Sequence, residues 1–430
     1  ISTIGGVKRS TVPEKIIVGI VASGDEGRYF SNGLHQNAWF LFKCLSHVPN
    51  ITPLLVYWPE KDDETKEHKL VFGEKVYRID LFYEQYQLDV LLLVSALLPI
   101  DVYDRLRIKN KVKMVSVAYG NRYVIDQEIT CFGHLTNPHE GGRNFADQSL
   151  RRDDYTPDAV WVSPHFAWQK NYIGHRYGLE DSSKVHVCPY IWGPELLIKQ
   201  YDADPFYEEH GPEFRKGNEK NKNIFCTEPN INTLKTSFFP FMIGNCLVKK
   251  GDENFGEILL FGSQDIRVQN KNLAEYFTSQ EIAKQKKVFF EARYPFKTIT
   301  KHAQVMLHHH FMNGLNYTML ECAALKIPVV HNSEFMKDFG YYYPRAEVDM
   351  AVDQCSRALM HEHRDDLDEY NRICEETVYK FFHSNPHNVW GHQTLIANLF
   401  SPKVKPELPD YIKNLEEDLA HADGHLSPLA

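Results

Sequence analysis

The sequence predicts an α/β protein built from two doubly wound domains facing a cleft. Its 430 residues are too many for one ordinary core and suit two domains of about 150–200 residues each. Short apolar runs rich in Val and Ile alternate with longer amphipathic segments, the pattern of βαβ units and parallel sheets. That pattern occurs twice, on either side of a polar stretch.

In the first half, strands are expected at "KIIVGIVAS" (15–23), "TPLLVYW" (52–58), "DVLLLVSA" (89–96), "VKMVSVAYG" (112–120), "AVWVSPH" (159–165) and "KVHVCPY" (184–190). They are apolar on both faces, as central strands covered by helices should be. From 192 to 222 the composition turns polar, with prolines, glycines and charges, and reads as a connector. Strands resume at "NIFCTE" (223–228), "EILLFGS" (257–263), "KVFFEAR" (287–293), "AQVMLHH" (303–309) and "IPVVHNS" (327–333). Residues 350–382 have a helical pattern. The proline of "HSNPHNVWGHQTLIANLF" (383–400) breaks one helix before another begins. The expected domains are therefore 1–191, 223–382 after the connector, and a final segment, 383–430, holding a helix that crosses back and a tail.

Composition narrows the function. The apolar fraction of 43% and charged fraction of 24% are those of a globular chain. A net charge of −9 argues against bulk attraction to nucleic acid. The eight cysteines have no metal-like spacing and read as buried thiols in a reducing compartment. The sequence has no run of 18 apolar residues and no charged-then-apolar start. The expectation is a soluble, cytoplasmic protein without a membrane span. HExxH, GxSxG, P-loop and GxGxxG signatures are absent. The D-x-D of "YDADP" lies in the connector rather than after a buried strand.

Open α/β sheets bind ligands at the carboxyl ends of their strands, which directs attention to "HHHFMNGLNYTMLECAALKIPVVHNS" (308–333). A strand ends there in His309 and His310, a turn follows at Asn313–Gly314, and Asn316 is placed to cap a helix beginning near Tyr317. Glu321 then falls in the second turn, and the next strand delivers His331, Asn332 and Ser333. A helix N-terminus suits an oxyanion, while a carboxylate and amides suit sugar or ribose hydroxyls. A cluster of three consecutive histidines on a metal is not expected, because successive strand residues alternate faces. His309 is the histidine expected in the pocket.

These residues carry a resemblance. "NGLNYTMLECAALKIPVV" is similar to the donor-binding segment of nucleotide-sugar glycosyltransferases with the two-domain GT-B fold, whose retaining members read E-G-F-G-L-x-x-x-E-A-x-A-x-G-x-P-V. Gly314, Glu321, Ala324, Pro328 and Val329 agree with it. Asn313 stands where the first glutamate is usual, Asn316 replaces the second glycine and Lys326 the later one. N-Y-x-x-L-E followed by P-x-V-H-N-S also resembles an uncharacterised group of bacterial and phage proteins assigned to that fold. The resemblance implies two Rossmann-like domains and a hexosyl or pentosyl transfer without metal or cofactor, the nucleotide sugar being a substrate. It implies that Glu321 binds the donor ribose, and that Asn313, with Gly314, Asn316, Tyr317 and His309, lies at the transferred sugar. The loop after the first strand of the second domain would bring Lys235, beside Glu228 and Asn230, to the diphosphate. Arg293 is a second cation for it, since a guanidinium matches phosphate oxygens.

In the first domain, the loop with Gly24, Asn32, Gly33 and Gln36 would line the acceptor side. "CFGHLTNPHEGGRNF" (131–145) offers His134 and His139 as general bases. The acceptor could be a glycan, a protein or a modified base of phage DNA. The rival reading is a non-catalytic sugar- or nucleotide-binding protein on a degenerate transferase fold, kept open by Asn313 and Asn316.

Overall fold

The computed structural model describes residues 14–30, 33–59, 67–82, 87–94, 98–132, 156–179, 181–202, 222–266 and 270–401. The chain forms two compact units. The first comprises the described residues up to Tyr123, those between residue 155 and Ile191, and those from Phe381 onward; the second comprises 124–132 and Trp192–Lys380.

The first unit holds eight strands: β1 (Ile16–Val21), β2 (Ile51–Tyr57), β3 (Lys69–Val71), β4 (Glu74–Arg78), β5 (Val90–Val94), β6 (Lys113–Ala118), β7 (Ala159–Val162) and β8 (Val185–Val187). Their order is β3-β4-β2-β1-β5-β6-β7-β8. All neighbours are parallel except the β3–β4 hairpin. β5 and β7 are buried at every residue, which explains their unbroken apolar runs. The hairpin is an addition to the expected strands.

The second unit holds β9 (Lys222–Cys226), β10 (Phe255–Phe261), β11 (Val288–Glu291), β12 (Val305–His308), β13 (Val329–His331) and β14 (Tyr341–Tyr342). This sheet is wholly parallel and ordered β11-β10-β9-β12-β13-β14. Both sheets are doubly wound. The chain moves outward in one direction from the first strand of each unit, then returns to that strand's other side, so strand order reverses between β1 and β5 and between β9 and β12.

Pro386 opens the last described helix, which spans Pro386–Asn398, and Asn385 caps it by accepting from the His387 amide at 3.0 Å. The helix belongs to the first unit. Its buried His392 lies 3.7 Å from the Cys44 sulfur and edge-on to the Trp161 ring. The chain thus returns to the domain in which it began. All eight cysteines are free thiols. Among the described residues no helix is long and apolar enough to cross a membrane.

Candidate functional site

Ligands of open α/β sheets sit outside the carboxyl ends of the strands where strand order reverses. In the second unit that place is the end of β9 and β12. Glu228, Asn230 and Lys235 follow β9, Arg293 follows β11, His310 and Asn313 follow β12, and Asn332 and Ser333 follow β13.

The loop after β9 is shaped by Asn230, whose φ of 55° lies in the left-handed region, where Asn is among the better-tolerated residues. Its amide donates to the Glu228 and Gly262 carbonyls at 3.0 and 3.3 Å, and its oxygen accepts from the Ser237 amide and hydroxyl at 2.8 and 3.0 Å. The side chain expected at the donor is therefore spent on holding the loop. Gly262 allows the loop to lie close, since a Cβ there would stand 3.2 Å from the Pro229 Cα. The far side of the loop is fastened to the segment after β12: the Phe311 amide donates to the Leu234 carbonyl at 3.0 Å, and Lys235 forms a bridge with His310. Burial pushes the Lys235 pKa down, the Glu228 charge opposes this, and the Arg293 charge adds to the lowering. Among the described residues the Lys235 ammonium makes no hydrogen bond or ion pair.

Beneath this lysine, Glu228 is closed off from water between two histidines. Glu228, His308 and His310 are 0%, 1% and 4% exposed. Glu228 Oε2 lies 2.9 Å from His310 Nε2, and Oε1 lies 2.8 Å from His308 Nδ1. His310 Nδ1 is 2.7 Å from the Asn313 amide nitrogen. Burial lowers the His310 pKa to about 3, so the ring is neutral, donating through Nε2–H to Glu228 and accepting from Asn313. Burial opposes ionisation of Glu228, but the two histidines together outweigh it and hold the carboxyl below its usual range. Glu228 is thus a partner of histidines rather than of an open pocket.

The segment that reaches the helix is held by side chains mimicking a sheet. Asn332 accepts from the His310 amide at 3.0 Å and donates to the His310 carbonyl at 2.8 Å, while the Ser333 hydroxyl donates to the Gly314 carbonyl. Asn316 is the N-cap of the helix Tyr317–Ala324 and accepts from the Thr318 amide at 2.6 Å. Tyr317 is buried at the first position. One turn further on, Glu321 keeps a partly exposed side chain, yet burial alone raises its pKa to about 7. Among the described residues its carboxylate has no hydrogen-bond or ion-pair partner.

His309 departs from expectation. Strand alternation sends it to the side opposite His308 and His310, where its ring stacks on Phe239 at 3.8 Å and its Nδ1 meets the Tyr343 hydroxyl at 2.9 Å. Histidines 308 and 310 are two apart and share a face; that spacing is the signal in the sequence for their pairing with Glu228. Gly24, Gly33 and Gln36 belong to the first unit. Gly33 opens the helix Gly33–Leu45 and its carbonyl accepts from Asn37 at 2.8 Å; Gln36 is buried in that helix. A Cβ at Gly24 would meet the Lys69 side chain at 2.6 Å. Asn32, His134 and His139 lie outside the described residues.

A family profile described as "Protein of unknown function (DUF2827)" matches residues 17–396. The chain belongs to this family. No curated protein matches the DUF2827 sequence. Solved structures do. The N-terminal domain of Candida albicans trehalose-6-phosphate phosphatase is 10% identical, with 93% of this chain and 99% of that one covered and a TM-score of 0.58. Trehalose-6-phosphate synthase OtsA is 14% identical over 91% of this chain and 100% of that one, at 0.56. Sucrose-phosphate synthase from Thermosynechococcus elongatus is 10% identical over 96% and 100%, at 0.51. At these identities the likeness is one of fold, and it places the DUF2827 chain in the GT-B class.

Proposed function

We propose that the chain transfers a sugar from a nucleotide-sugar donor to an acceptor, and that the second unit binds the donor. One observation carries the reading. Glu321 is a desolvated carboxylate with no partner among the described residues, on the helix that follows the strand-order reversal, in the position that binds donor ribose in the family it resembles. A vicinal diol would give it the two donors it lacks. The Lys235 ammonium, also desolvated and without a partner among the described residues, would meet the donor diphosphate, with the Arg293 guanidinium as a second cation. Two preorganised cations stabilise the charge that gathers on a departing diphosphate, the main electrostatic task of such a transfer. Asn313, whose amide nitrogen faces His310, would present its carbonyl oxygen to a sugar hydroxyl. The names of the fold relatives, trehalose-6-phosphate synthase and sucrose-phosphate synthase, are consistent with sugar chemistry on this fold. The acceptor would be a glycan or a protein, with His134 or His139 as the base.

The test is turnover. Nucleotide sugars are incubated with the chain, and release of nucleoside diphosphate is followed with and without a pool of glycan acceptors. Release from one donor family, slowed at least tenfold in Lys235→Ala, supports transfer. Nucleotide binding without any release points instead to a binding protein on a transferase fold.

A further inference from the structure

We propose that Glu228, His308 and His310 form a binding site for a first-row divalent cation, zinc foremost. One carboxylate oxygen and one nitrogen from each ring lie within 4.8 Å of one another, and all three residues are buried. Two imidazoles and a carboxylate suit zinc and its neighbours in the transition series.

One observation favours an ion over a plain hydrogen-bonded trio, and a second is compatible with it. The first is the contact between His308 Nδ1 and Glu228 Oε1. The atoms are 2.8 Å apart but poorly aligned for a hydrogen bond, and neither has another partner among the described residues. Buried polar atoms left in this state are rare and costly, and a cation between them satisfies both. The second is the 2.7 Å contact of Asn313 with the far nitrogen of His310. Metal-bound histidines are commonly fixed by such an outer contact. Ligation through Nε2 places the ring proton on Nδ1, and a half-turn of the Asn313 amide lets its carbonyl accept it while its amide NH2, in place of the carbonyl, faces the sugar.

The geometry requires little movement. Donor atoms around a tetrahedral zinc are about 3.3 Å apart, so the 2.8 Å contact of His308 Nδ1 with Glu228 Oε1 need open by only about 0.5 Å, and all three donor atoms already lie within 4.8 Å of one another. The ion pins the end of β12 to the residues after β9 and steadies the loop bearing Lys235 and Asn313. Three protein donors leave a fourth position for one enclosed water, and the ion takes no part in sugar transfer, so the proposal stands apart from the donor reading. The Lys235 charge beside Glu228 opposes the ion, so the buried ligands must outweigh that repulsion.

The experiment is metal reconstitution of the full chain. Chelator-stripped protein is loaded with Zn²⁺, dialysed and assayed for metal by mass spectrometry; a second sample is titrated with Co²⁺ and read by visible absorption. One equivalent of zinc, four-coordinate cobalt bands and a higher melting temperature with zinc are expected. Glu228→Gln, which keeps the shape, should lose all three. X-ray absorption on zinc-loaded wild-type protein removes dependence on variants that fail to fold; it should show two imidazoles and a carboxylate. Folded wild-type protein that retains no Zn²⁺ or Co²⁺, a different ligand set, or metal retained equally by Glu228→Gln would overturn the proposal.

Discussion

A largely desolvated carboxylate without a partner is a burden on its own fold, and Glu321, which has none among the described residues, is such a group. Its pKa of about 7 in the folded chain exceeds the ordinary 4.5, so the native state binds a proton more tightly than the unfolded state. Stability therefore falls as pH rises from about 4.5 to about 7 and is flat above that. Glu321→Gln removes the burden and should raise the melting temperature at pH 8, by an amount corresponding to roughly 1–3 kcal/mol. The same substitution should abolish nucleotide binding, so stability and function move in opposite directions. Binding of a diol favours the ionised form, and donor affinity of the wild type should fall about tenfold per unit as pH drops below 7; calorimetric titrations at pH 5.5 and 8 check it. The placement of Glu321 on the helix after β12 and of Lys235 on the loop after β9 was legible in the sequence, because both follow apolar strands at short offsets. The histidine parity was not. The sequence locates the end of a strand to within a residue or two, and a shift of one residue exchanges its faces.

Elements were legible in proportion to their burial. The central parallel strands announce themselves as apolar runs. β3 and β4 have 3 and 5 residues that mix charged with apolar side chains, while β14 has only 2; strands this short, at or next to a sheet edge, carry little periodic signal. Their turns leave traces, since Phe72 and Gly73 turn the hairpin with φ of 50° and 82°. Lys326 is instructive as well. It stands where the resembled family has glycine, and its φ is 54°, so the left-handed helix ending is kept although the glycine is not. Gly340 is the glycine that cannot be replaced in this way. Its φ is 68°, and a Cβ there would lie 2.6 Å from the Val329 carbonyl oxygen. Gly340→Ala should cost roughly 2 kcal/mol or more, measurable by thermal melting. Because β13 leads into Ser333, which holds Gly314, nucleotide binding should weaken with it.

At the scale of the whole chain, the sequence foresaw two doubly wound domains and a helix that returns to the first. What it could not foresee is which side chains receive that helix. Phe381, Leu395 and Ile396 are buried, and His392 meets Cys44 and Trp161. Full burial of each large apolar side chain contributes about 1.5–3 kcal/mol. A chain ending at Lys380 should therefore lose several kcal/mol from the first unit while the second keeps its sheet. Hydrogen exchange should show the helix Gly33–Leu45 and strand β7 losing protection, with β9 and β12 unchanged. Equal loss in both units would mean that the returning helix stabilises the chain as one body.

The central claim is that the end of the second sheet is a nucleotide-sugar pocket, and a thermal-shift screen tests it most directly. The chain is melted with the UDP, GDP, ADP, CMP and dTDP families of nucleotides and sugars, beside Glu321→Ala. Ligand at a hundredfold excess over its dissociation constant adds about 2.7 kcal/mol of stability, enough for a clear rise in melting temperature. The account predicts a rise with one nucleotide family that vanishes in Glu321→Ala. No rise with any of them, in well-folded wild-type protein, would contradict it.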